Sequence, residues 1–111
     1  MLRVIAQEPQ KLLDAIYQAI EDGTVTTWQS TSNGSFTHTT PSDQWKNKAW
    51  FRPSVDDKGI TFNIIRPKGG RVTKEVYAVY HGRFSEMLLA HFDNRLTVIR
   101  LPALADDNDI V

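Results

Sequence analysis

The sequence predicts an α+β fold, a mostly antiparallel sheet of about five to six strands with two helices on one face, in the order α-β-β-β-β-β-α-β. Three observations carry that prediction. One apolar stripe at helical spacing stands near the N-terminus and a second near the C-terminus. Between them, alternating segments are punctuated by Asn33-Gly34, Asp56-Asp57-Lys58-Gly59 and Lys68-Gly69-Gly70. With 111 residues the chain has room for one core. Residues 1–105 read as a single α+β domain and residues 106–111 as an acidic flexible tail.

The first helix covers residues 8–22, EPQKLLDAIYQAIED. Leu12, Leu13, Ile16, Tyr17 and Ile20 recur at three- and four-residue intervals, Pro9 suits the first helical position, and Gly23 suits the left-handed stop. Residues 24–40 then predict a hairpin about Asn33-Gly34, with Ser32 opposite Ser35. That register puts Phe36 and His38 on one face with Val25, Thr27, Gln29, Thr31 and Thr40. Trp28 falls on the other, among Thr26, Ser30, Thr37 and Thr39. Neither face is apolar enough for a core, so the hairpin is expected at an edge or as a projecting flap.

Residues 41–45, PSDQW, suit a short helical turn, and residues 46–55 a strand with Ala49, Phe51 and Val55 on one side and Trp50 and Arg52 on the other. Pro53 cannot donate to a ladder, which points to an edge or a bulge. Residues 56–59 are turn chemistry. Ile60, Phe62 and Ile64 alternate with Thr61 and Asn63, and Val72, Val76 and Ala78 alternate with Thr73, Glu75 and Tyr77. Matching their apolar faces across Lys68-Gly69-Gly70 predicts a second hairpin with Phe62 opposite Val76 or Lys74. Residues 81–94 follow as the second helix, with Phe84, Met87, Leu88, His91 and Phe92 on its apolar face, and residues 95–101 as a last strand.

Composition narrows the function classes. Apolar residues make up 41% and charged residues 23%, ordinary for a globular domain. The absence of cysteine excludes a disulfide framework and a thiolate zinc site. His38, His81 and His91 lack metal-ligand spacing, so neither a metal nor a cofactor is expected. No stretch has the apolar run of a signal peptide or a membrane span, which predicts a cytoplasmic protein with no membrane partner. The formal net charge of zero hides a pattern: residues 44–83 carry nine Lys and Arg against three Asp and Glu, while both flanks are acidic.

Three functional readings follow. The first is a small non-catalytic binding or regulatory module that meets a protein partner, including a second copy of itself as a homodimer, through Trp28, Trp50 and the 66–74 hairpin. The second is nucleic-acid binding by the basic, aromatic strip 45–83, in which Arg52, Arg66, Lys68, Arg71 and Lys74 meet phosphates and aromatics such as Trp50 and Tyr77 stack on bases. The third is a small enzyme or ligand binder with a pocket near Glu75, Tyr77 and His81, Glu75 serving as a general base. No nucleophile elbow or established nucleic-acid signature accompanies these residues, so an enzyme ranks below a binding module.

Overall fold

The computed structural model describes residues 1–39 and 44–111; the helical turn expected over 41–45 falls on positions of which 41–43 lie outside them. The chain forms an open six-stranded antiparallel sheet and two helices: β1 (Leu2–Ile5), α1 (Pro9–Glu21), β2 (Trp28–Ser30), β3 (Phe36–His38), β4 (Trp50–Val55), β5 (Gly59–Ile65), α2 (Lys74–Phe92) and β6 (Val98–Arg100). The strand order is β2-β3-β4-β5-β1-β6. The α+β class, the antiparallel sheet and the two helices agree with the sequence reading.

Burial follows strand parity. Leu2 and Val4 of β1, Phe51 of β4, and Ile60, Phe62 and Ile64 of β5 are fully buried and meet Leu12, Leu13 and Ile16 of α1 and Val76, Tyr80, Phe84 and Leu88 of α2 in one cluster. Residues of opposite parity, among them Arg3, Trp50, Arg52 and Thr61, face outward. Phe84 of α2 sits at 4.9 Å from both Phe51 and Phe62 and at 4.8 Å from Trp28, so the helix seats on an aromatic floor.

Three expectations are corrected. Residues 72–78 are no returning strand: Thr73 caps a helix, its hydroxyl accepting from the Val76 N–H, and α2 runs unbroken from Lys74. The Val72/Val76 spacing of four, continued at Tyr80 and Phe84, suits both periods, and only the odd steps to His81 and Met87 separate them. The edge of β5 that this segment was to occupy belongs to β1, Leu2 lying opposite Phe62. Gly59 serves that pairing, since a Cβ there would stand 2.0 Å from the Val4 carbonyl oxygen.

The second correction concerns register. Trp28 lies opposite His38 and Ser30 opposite Phe36, joined by five residues, not by a two-residue turn. The loop closes on itself: the Thr31 N–H donates to the Ser35 carbonyl at 2.8 Å, and Gly34, at φ +83°, donates to the Thr31 carbonyl at 2.9 Å. This slip by one residue moves Trp28 onto the face of Phe36 and His38. Trp28 is 2% exposed, edge-on to Phe84 and Tyr80, so β2 is an edge strand as expected but no flap with little to bury.

Third, residues 106–111 dock on the sheet. Beyond Leu2 the free edge of β5 takes the C-terminal residues: the Ile110 N–H donates to the Ile64 carbonyl at 2.9 Å, and the Arg66 N–H to the Ile110 carbonyl at 2.7 Å, as a parallel bridge. Asp109 is 9% exposed and accepts from the Ile64 N–H, the Asn63 amide and the Met1 ammonium. No helix among the described residues is long and apolar enough to cross a membrane.

Candidate binding site

Trp50 and Arg52 leave β4 on the open face of the sheet, across from Ile65 and Asn63 of β5. Where β5 ends, Pro67–Gly70 forms a tight turn, closed by the Gly70 N–H to the Pro67 carbonyl at 3.0 Å. Gly69, at φ +76°, takes the left-handed position that glycine fills without strain. The turn raises Arg66 and Lys68 beside Trp50. Thr31, Asn33 and Ser35 of the β2–β3 loop form the opposite wall, and together with Ile65 these residues line an open cavity of about 240 Å³.

The loop wall is held in place. Tyr17 of α1 donates its hydroxyl to the Gly34 carbonyl at 2.6 Å and stacks on Phe36 at 4.9 Å. Thr31 donates its hydroxyl to the Asn33 side-chain oxygen, which also accepts from the Ser35 N–H at 3.2 Å. Asn33 thus spends its oxygen inside the loop, and its NH2 takes no part in those bonds.

The cavity's electrostatics are one-sided. Arg52, Arg66 and Lys68 line it, and no carboxylate does. Among the described residues, none of the three makes an ion pair. Arg3, by contrast, is bound bidentately to Asp56 at 2.7 and 3.0 Å. These hydrogen bonds raise the pKa of Arg3 and hold the Asp56 carboxyl well below its ordinary range.

Of the residues singled out from sequence, the fold therefore brings Trp50, Arg52, Arg66 and Lys68 together. Trp28 is in the core, which removes it from any contact surface. Arg71 and Lys74 are exposed at the start of α2 and do not line this cavity. Thr31, Asn33 and Ser35 were missed as site residues; Asn33-Gly34 signalled a turn, but nothing local signalled that α1 would lean that turn toward β4.

The pocket expected near Glu75, Tyr77 and His81 does not assemble. All three lie on α2, where two-residue spacing turns Glu75 away from Tyr77, and Glu75 is exposed. Tyr77 and His81 do meet, ring on ring at 3.9 Å, with Tyr77 donating to the Pro102 carbonyl. His81 is 4% exposed; its Nδ1 donates to the Tyr77 carbonyl at 2.7 Å and its Nε2 has no hydrogen-bond partner. Burial pushes its pKa down to about 4, against weaker support for the charged ring from the Tyr77 carbonyl, Asp109 and the Met1 backbone.

Burial alone would push the Asp109 carboxyl up. The Met1 ammonium at 2.6 Å, the Asn63 amide and two backbone N–H groups outweigh it and hold the carboxyl below its ordinary value. Burial, then Asp109 and Asp106, raise the Tyr77 hydroxyl. Among the described residues no three His, Asp or Glu side chains are grouped to hold a metal ion.

Fold and site together define a small α+β module with a cationic, tryptophan-lined cavity on the open face of its sheet. Compared with known proteins, the chain matches no family model, no curated protein and no solved structure.

Proposed function

We propose that this protein is a non-catalytic, cytoplasmic module that binds single-stranded nucleic acid at the Trp50 cavity. One observation carries the reading: three cations that have no acidic partner among the described residues converge with a half-exposed indole on one cavity. Like charges gathered without counter-charges repel one another, and an anionic ligand relieves that repulsion. A phosphate backbone supplies the anion, and a base stacked on an aromatic ring adds roughly 1–3 kcal/mol without demanding a sequence. A protein contact through two exposed tryptophans has lost one of them to the core.

Fluorescence anisotropy against labelled single- and double-stranded DNA and RNA, at low and physiological salt, tests this. Three phosphate contacts predict a slope of log K against log salt of about −2 for single strands. Trp50→Ala should weaken binding roughly 5- to 150-fold, the factor equivalent to one lost stack. The combined Arg52→Ala, Arg66→Ala, Lys68→Ala variant should abolish it. No binding at low salt, or binding indifferent to these substitutions, refutes the proposal. A stable dimer by light scattering together with no nucleic-acid binding would favour self-association.

A further inference from the structure

We infer that the Trp50 cavity takes the phosphorylated end of a nucleic-acid strand, not its interior; this rests on the nucleic-acid reading above. A strand interior must leave a site on two sides, and here both are obstructed. The β2–β3 loop, fixed by Tyr17 and by its own hydrogen bonds, forms one wall. On the other side, the cross-strand neighbour of Arg52 is Asn63, whose amide donates to Asp106 at 3.1 Å and to Asp109 at 2.9 Å. These contacts leave Asn63 only 8% exposed on a face otherwise open. A second phosphate moving across the sheet from Arg52 would meet the C-terminal segment seated over Asn63, where Asp106 is the partly exposed carboxylate.

Size and charge agree with a chain end. The cavity, at about 240 Å³, is smaller than the roughly 300–1,000 Å³ typical of sites that enclose a whole ligand. It suits a phosphate and its sugar, with the terminal base outside on Trp50. A terminal phosphate monoester carries about −1.5 to −2 at neutral pH, against −1 for an internal diester. It therefore answers Arg52, Arg66 and Lys68 better, and it presents more acceptor oxygens to the Asn33 amide.

The test compares one internally labelled oligonucleotide sequence in four forms: 5′-phosphorylated, 3′-phosphorylated, hydroxyl at both ends, and ligated into a circle. One phosphorylated form should bind at least about tenfold more tightly than the hydroxyl-ended and circular forms, as expected for one added charged contact. Arg66→Ala with Lys68→Ala, both on the surface, should erase that preference, and millimolar inorganic phosphate should compete for it. If circle and linear forms bind equally, the strand-end inference is wrong while nucleic-acid binding stands. If none of the four binds, the reading beneath it fails as well.

Discussion

Acidification should destabilise this fold through His81 well before the carboxylates protonate. His81 is wedged between Tyr77, stacked at 3.9 Å, and Phe51, edge-on at 5.1 Å, and is 4% exposed. Its pKa falls from 6.5 to about 4 because burial opposes the charged ring. Between those values the unfolded chain holds a proton on His81 that the folded chain lacks, so stability drops as pH falls. Above pH 6.5 the ring is neutral in both states and full stability is present. At about 1.4 kcal/mol per pH unit, the gap from 6.5 to about 4 amounts to about 3 kcal/mol. That is a large part of the ~5–15 kcal/mol that holds a typical domain.

Asp109 acts in a lower window. Its carboxyl is held below 3.8, so its contribution is present above that value and is lost only as pH falls further. Urea unfolding at intervals between about pH 7 and pH 4.5 therefore reads the histidine clear of Asp109. His81→Phe, which keeps a ring against Phe51 and Tyr77, should flatten the profile over that range, and in the wild type the imidazole should titrate near pH 4 by NMR. Wild-type stability that stays level down to pH 4.5, or an equal slope in the phenylalanine variant, refutes the reasoning.

Two further outcomes follow from close packing and from a buried hydroxyl. Gly59→Ala drives a Cβ to 2.0 Å from the Val4 carbonyl oxygen, so β1 and β5 must separate; a loss of about 3 kcal/mol in urea unfolding is expected, at the upper end of overpacking costs. Tyr80 donates to the Trp45 carbonyl at 2.5 Å and accepts from the Lys48 N–H at 3.0 Å. Tyr80→Phe should cost about 1–3 kcal/mol and speed hydrogen exchange at the Lys48 amide, while core amides that exchange by global unfolding speed only by the factor that loss sets.

The sequence was most legible where one period was unambiguous. The α1 stripe, the β4–β5 turn and the alternation of Ile60, Phe62 and Ile64 all stand as read. It was least legible where two periods coincide: Val72 and Val76, four apart, fit a strand and a helix alike, and the Thr73 cap became decisive only once the helix existed. The hairpin register failed for a related reason, because Asn33-Gly34 marks a turn without fixing how many residues surround it. The docked C-terminus was illegible because its acidic composition describes a solvated tail, whereas its seat is a few backbone groups that β1 leaves open. At the site, Trp50, Arg52, Arg66 and Lys68 were all visible as residue types; that they share a cavity depended on the loop leaning from α1.

One register decides both the core and the candidate site. Had Ser32 paired with Ser35, Trp28 would face outward and the aromatic floor under Phe84 would lose its largest member. The five-residue loop turns Trp28 inward, and the same loop carries Thr31, Asn33 and Ser35 to the rim beside Trp50. Trp28 and Trp50 therefore part company, one fixed against α2 and the other half-exposed among cations that have no acidic partner among the described residues. The charges of the chain divide along the same line. Arg3 engages Asp56 on the sheet, Asp106 and Asp109 of the C-terminal segment are turned to Asn63 and Met1, and Arg52, Arg66 and Lys68 make no ion pair among the described residues.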